Sequence, residues 1–145
     1  MDGDLKFEGE YLYGKRWKGK YYDGLNNIVS ELVNGKGLIK EFDKNDILSS
    51  EGNYVNGEKN GAIKDYNYYN SKLEFEGEYL NGKRNGKGKA YDNYGELKFE
   101  GEYLYDYRIR GRGYINNRLE YEGEYLYEKK WNGKGYDKKG NVIYV

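Results

Sequence analysis

The sequence contains no cysteine, no proline and no histidine. Without cysteine, neither a disulfide framework nor a thiolate metal site can form. Without histidine, the commonest general base and the commonest metal ligand are both missing. Absence of proline leaves every backbone N–H free to join a sheet ladder. No apolar run approaches the length of a membrane span. The 25 basic and 25 acidic residues cancel, leaving no net pull toward nucleic acid or an anionic membrane. The start, Met1-Asp2-Gly3-Asp4, is acidic where a signal peptide would be basic and then apolar. Asp2 also stands where a myristoylation signal needs glycine. The expectation is a soluble, cytoplasmic protein of a reducing compartment. A chain with 34% charged residues could be disordered, but its 20 tyrosines argue against that, because disordered segments are poor in aromatics.

What the chain does have is repetition. A segment built on apolar-x-Gly-Glu-aromatic-aliphatic returns as Phe7 to Leu12, Phe75 to Leu80, Phe99 to Leu104 and Tyr121 to Leu126. Two weaker copies read as Ile28 to Val33 and Ser50 to Val55, placing Gly9, Ser30, Gly52, Gly77, Gly101 and Gly123 at the key position. Steps of roughly 21 to 25 residues lie in the range that marks a repeat array. Approximate repeats span residues 5–25, 26–47, 48–72, 73–96, 97–118 and 119–140, with a partial capping strand at 141–145. The chain is thus one domain-sized array, and function is expected on a ladder of equivalent positions. Both ends fall at repeat boundaries, consistent with either an excised fragment or a complete small protein.

Within a copy the pattern alternates with period two: Leu73, Phe75, Gly77 and Tyr79 on one face, Glu74, Glu76 and Glu78 on the other. That is a strand with one face buried. Asn34-Gly35, Asn56-Gly57 and Asn81-Gly82 are hairpin signals, because both residues tolerate positive φ. A second strand follows with small residues at alternate positions, as in Gly86-Lys87-Gly88-Lys89-Ala90. Glycine weakens a strand unless something needs the space; a ring from the neighbouring strand lying over bare backbone supplies the need. The fold class expected is all-β: an elongated antiparallel meander of about six hairpins, a twisted single-layer ribbon. Twelve strands at about 4.8 Å make a ribbon of roughly 55 Å. Asp43 to Ser50 is the one stretch left open, and the degenerate second copy is expected to be the weak joint.

The run from Phe75 to Gly88, followed by Gly95, resembles the MORN repeat (membrane occupation and recognition nexus). That family's pattern is Tyr-x-Gly-x-aromatic, then Asn-Gly-Lys, then Gly-x-Gly. The fourth copy carries it best. The first departs at Trp17 and Lys18, and the fifth and sixth lack the Asn-Gly-Lys turn. The second has Ile28, Ser30 and Leu32 in place of aromatic, glycine and aromatic. The resemblance implies an elongated ribbon with an aromatic groove, used by scaffolds, dimerisation modules or targeting modules, with lipid binding as the namesake attribution.

Candidate residues follow from the periodicity. Tyr11, Tyr54, Tyr79, Tyr103 and Tyr125 either line a partner-binding groove or cover glycines and hold the ribbon together. Trp17 and Trp131, read as loop residues beside cations, are partner anchors, interfacial membrane anchors, or rings folded back on their own hairpins. Lys83, Arg84, Arg108, Arg110, Arg112, Lys129 and Lys130 are candidate contacts for anionic lipid head groups, set against an internally balanced surface. The pairs Glu76/Glu78 and Glu100/Glu102 look alike from copy to copy, whereas carboxylate catalysis needs two unequal environments. Asp43-Lys44-Asn45-Asp46 lacks the glycine and terminal glutamate of a calcium loop.

No catalytic residue, metal site or cofactor is assigned. The leading expectation is a non-enzymatic scaffold that binds a protein partner or a second copy of itself through the aromatic row. Two alternatives are a peripheral membrane module for anionic phospholipids and a regulatory module acting on an attached or separate enzyme. Neither nucleic acid nor a small-molecule substrate is expected; placement at a membrane or the cytoskeleton would come through a partner.

Overall fold

The computed structural model describes residues 6–144. Among them the regular structure is thirteen antiparallel strands and no helix. They are β1 (Phe7–Leu12), β2 (Lys15–Tyr22), β3 (Ile28–Leu32), β4 (Gly37–Phe42), β5 (Leu48–Val55), β6 (Glu58–Tyr66), β7 (Leu73–Leu80), β8 (Lys83–Tyr91), β9 (Leu97–Leu104), β10 (Tyr107–Ile115), β11 (Arg118–Leu126), β12 (Lys129–Tyr136) and β13 (Val142–Tyr144). Each strand pairs with its sequence neighbours except across the β3–β4 junction, and the meander does not close into a barrel. The stretch left open at Asp43 is a turn leading into β5.

Two kinds of turn alternate along the ribbon, except that the β10–β11 connection is also a two-residue turn, Asn116-Asn117, with positive φ (51° and 62°). At one edge both central residues of each two-residue hairpin have positive φ, as at Asn56-Gly57 (53° and 76°) and Asn81-Gly82 (50° and 81°). This backbone twist matches that of the flanking strands. The fifth and sixth hairpins keep the geometry without Asn-Gly, using Tyr105-Asp106 and Tyr127-Glu128. Positive φ costs a non-glycine residue about 1 kcal/mol or more. Their carboxylates accept the Arg84 and Arg108 backbone N–H groups at 2.8 Å, tying each tip to the hairpin before it. At the other edge Asp23, Asp43, Asp92 and Asp137 each accept two backbone N–H groups of their own turn. The Asp43 carboxylate thus folds its own backbone.

The register aligns one residue per strand in a transverse row: Ile39, Gly52, Ile63, Gly77, Gly88, Gly101, Gly111, Gly123 and Gly133. Phe75, Phe99 and Tyr121 lie over these bare backbones, each covering a glycine of its own strand and the one paired opposite. A β-carbon added at Gly101 would stand 2.6 Å from the Gly111 Cα and 2.7 Å from the Phe99 ring. The rings continue edge-to-face from Tyr79 through Phe75, Tyr103, Phe99 and Tyr125 to Tyr121, with centroids 5.3–5.8 Å apart. Each such pair adds about 0.5–1.5 kcal/mol beyond its area. A single layer therefore buries Phe75, Phe99 and Tyr121 almost completely.

The meander is interrupted once. β1, β2 and β3 form a three-stranded sheet, and β4 to β13 a ten-stranded one. The β3–β4 hairpin is held by an isolated Val33–Lys36 bridge and by the Ser30 hydroxyl. That hydroxyl accepts the Lys40 N–H at 3.1 Å and donates to the Lys40 carbonyl at 3.3 Å. Here the sequence alignment needs correcting. Gly19 pairs with Leu32, and Ser30 pairs with Tyr21, so Leu32 rather than Ser30 holds the key position of the second copy. The shortened segment slides by two residues, which keeps the same face toward the core. Buried Leu32 joins Tyr21, Ile39 and Tyr54 in a cluster separate from the aromatic ladder.

Gly101→Ala is expected to cost about 3 kcal/mol by forcing two strands and a ring apart, read as a lower urea midpoint. Hydrogen exchange should show backbone amides of β3 and β4 exchanging faster than those of β7 to β11. Uniform protection from Phe7 to Tyr136 would show that the joint is not weak.

Candidate functional site

The two faces of the ribbon differ completely. On the aromatic face Tyr54, Tyr79, Tyr103 and Tyr125 are buried, while Tyr11 at the end of the row is 61% exposed. The expected open groove of tyrosines is therefore filled by the chain's own rings. Burial raises the Tyr79, Tyr103 and Tyr54 hydroxyls above the usual tyrosine range and pushes Tyr125 up to about 12.

Cations seal this face. The Arg84 guanidinium lies 3.9 Å from the Phe75 ring centroid, Arg108 lies 4.6 Å from that of Tyr125, and the Lys130 ammonium 5.5 Å from that of Tyr121. Arg16 does the same over Phe7 and Tyr21. Partly exposed cation–π contacts of this kind contribute about 0.5–1 kcal/mol each. Carboxylates hold the cations in place: Arg16 with Glu41 at 2.7 Å, Arg108 with Glu128 at 2.7 Å, and Lys130 with Glu120.

The basic residues read as loops thus lie in strands β8, β10 and β12 and do not converge. Arg84, Arg108 and Lys130 cap the rings. Arg110 and Arg112 pair with Glu102 at 3.4 Å and Glu122 at 3.3 Å, and Lys83 and Lys129 are exposed beside hairpin tips. Trp17 and Trp131 are strand residues too. Each is the extra residue where the register shifts, opposite Tyr11 and Tyr125 respectively. Trp17 is half-buried with its ring against Gly35 of the next tip, whereas Trp131 is 67% exposed.

The opposite face carries a feature that period-two reading leaves out. Register sets Lys40, Glu51, Lys64, Glu76, Lys89, Glu100, Arg112, Glu122 and Lys134 side by side on nine successive strands. The charges alternate without a break, and opposite charges directly across antiparallel strands stabilise the pairing. Tyr66, Tyr91 and Tyr136 donate their hydroxyls to Glu51, Glu76 and Glu122 at 2.7–2.8 Å. The Tyr136 hydrogen bond, helped by Arg112 and Lys134, holds Glu122 below the usual carboxylate range. Burial, then the bond to glutamate, raises Tyr66 and Tyr91 to about 12. A second charged line runs through Glu78, Lys87, Glu102 and Arg110.

Between the two lines the glycine backbones form the floor of a trough of about 1200 Å³. It crosses β3 to β10, walled by Glu51, Lys64, Glu76, Lys89, Glu100 and Glu102 among others. At the β3–β4 end its lining turns apolar with Val29, Leu38 and Ala62, and Leu38 is 78% exposed. No group of three or more His, Cys, Asp or Glu able to hold a metal occurs among the described residues. The repeated carboxylates each have a basic or tyrosine neighbour, so no two of them form an isolated acid pair.

The tyrosines also set an alkaline limit. Their folded-state values lie above the ordinary value of 10.0, so their stabilising contribution is intact below pH 10 and is lost as pH rises through about 12. The part of the tyrosinate absorbance at 295 nm that comes from the buried and glutamate-bound tyrosines should appear only above pH 10, together with loss of far-ultraviolet dichroism. Titration of the buried rings at pH 10 with the sheet intact would contradict this.

No family model matches the chain and no curated protein matches it, so the trough is read from its own geometry and charge.

Proposed function

We propose that this chain is a non-enzymatic, MORN-like scaffold, and that its partner is a polypeptide segment lying along the charged trough. The trough is the observation that carries this reading. It is a preformed, elongated concavity on a backbone held rigid by rings and glycines, and preorganisation lowers the entropic cost of binding. The tyrosines serve it from behind by fixing the floor.

The walls suit a partner of mixed charge. Lys64, Lys89 and Arg112 alternate with Glu51, Glu76 and Glu100, so no single-sign field is present to draw a polyanion. Like charges recur on every second strand, about 9.6 Å apart, which gives register to a partner carrying its own alternating charges. Leu38 with Val29 and Ala62 offers the apolar spot where an anchoring side chain would bury. The aromatic face supports a membrane module less, because Arg84, Arg108 and Lys130 are engaged with rings and carboxylates.

Affinity capture from the native host, followed by mass spectrometry, tests the reading when run with variants. Leu38→Asp and the double change Lys64→Glu with Lys89→Glu should each weaken a captured partner by about tenfold or more, on the order of 2 kcal/mol. Tyr11→Ala, on the other face, should leave it bound. Partners that survive both trough variants would overturn the assignment, provided dichroism shows the variants folded.

A further inference from the structure

The ends of the ribbon carry a second surface. β13 pairs with β12 through Val142↔Tyr136 and Tyr144↔Gly135. This is the register in which β9 begins on β8, through Leu97↔Tyr91 and Phe99↔Ala90. β13 therefore fills the first positions of an ordinary junction between hairpins. Among the described residues, the outer edge of Lys129 to Lys134 has no strand beside it. At the other end, among the described residues, β1 pairs on one side, with β2. Its Phe7-x-Gly9-x-Tyr11 matches the Phe99-x-Gly101-x-Tyr103 of β9, the strand type such a junction receives.

We propose that these two edges are complementary: β1 of a second copy of this chain adds to β12 of the first, replacing β13, and the copies join head to tail. This deepens the scaffold reading and rests on it. Three features of the ends agree in this one register. In β9 register, Glu8 falls opposite Lys134, Gly9 opposite Gly133, and Tyr11 opposite Trp131. The alternating ladder ends on Lys134 in one copy, and the other copy's ladder opens Glu8, Lys20, Glu31, so alternation runs on across the joint. Two exposed aromatics, Tyr11 and Trp131, meet. Tyr121 can also take Tyr11 edge-to-face, as Phe75 takes Tyr103 at 5.3 Å and Phe99 takes Tyr125 at 5.4 Å within the chain.

The joint also has an internal template. Trp17 lies against Gly35 of the next hairpin tip, and the Gly35 N–H donates to the Trp17 carbonyl at 2.7 Å. Trp131 is the equivalent extra residue of β12. Gly14 is the equivalent tip residue before β2, with the same positive φ (78° against 76°) and nothing within 4 Å of its β-carbon position. Docking brings Gly14 beneath Trp131. Because the contact uses two different surfaces, it leaves a free edge at each end and grows an open assembly.

Sedimentation velocity of the 145-residue chain over a range of concentrations tests this. The mass distribution should keep rising with concentration, without stopping at two copies. Glu8→Lys and Lys134→Glu should each weaken association by about tenfold, through like charges at the joint. Mixing the two variants should restore it, since every joint between unlike copies again sets opposite charges face to face. Trp131→Ala should also weaken assembly, with dichroism unchanged because the ring is exposed. A chain that stays monomeric throughout, a closed dimer, or assembly indifferent to Glu8 and Lys134 would overturn the proposal. Leu38→Asp lies far from both edges, so loss of a captured partner with assembly intact, or the reverse, separates the trough from the ends.

Discussion

A ring on bare backbone is the contact on which the rest of this structure depends. One layer of strands has no opposing sheet to bury its apolar side. The glycine row lets Phe75, Phe99 and Tyr121 lie flat against the sheet itself, so backbone does the work of a second layer. From β7 to β12 each pair of strands brings glycine opposite glycine, because a β-carbon at Gly77, Gly101 or Gly123 would collide with the facing strand or the ring. Ile39 and Ile63 in the same row each face a glycine. Register, in turn, determines everything on the far side.

The far side is where register becomes chemistry. Once Gly77, Gly88 and Gly101 are aligned, Glu76, Lys89 and Glu100 are aligned as well, and a neutral composition becomes an ordered ladder of alternating charge. The same constraint makes the trough floor. The cations distribute themselves accordingly: those nearest the hairpin tips, such as Arg84 and Arg108, cap the rings, and those nearer the middle answer carboxylates. A basic run that looks uniform in the sequence, Arg108, Arg110 and Arg112, is divided between two faces because the register shifts between Arg108 and Arg110, breaking the alternation that would otherwise set all three on one side.

Departures from the rule lie where the ribbon changes character. At the second copy Leu32 takes a glycine's place and Ser30 substitutes its hydroxyl for ladder bonds to Lys40. The sheet divides there, and the trough acquires its apolar end. At the two outer edges of the described ribbon the ladder stops. Tyr11 and Trp131 are exposed because no described hairpin lies on their outer side, although their equivalents within the chain are covered.

The sequence by itself determined the all-β meander, the hairpin count, the Asn-Gly tips and the need for rings over glycines, since all of these are local: period two, turn chemistry and spacing. It did not determine which residues pair across strands. Leu32 could not be told from Ser30 as the key residue, because sliding by two preserves the face, and the choice rests on contacts with Gly19 and Tyr21. Nor could burial of Tyr79, Tyr103 and Tyr125 be separated from a groove, because a ring is covered or open according to the hairpin beside it. Trp17 and Trp131 share one position and differ in exposure for the same reason. The charged trough was decided by tertiary structure alone: its walls come from eight strands, and transverse order exists only once those strands are in register.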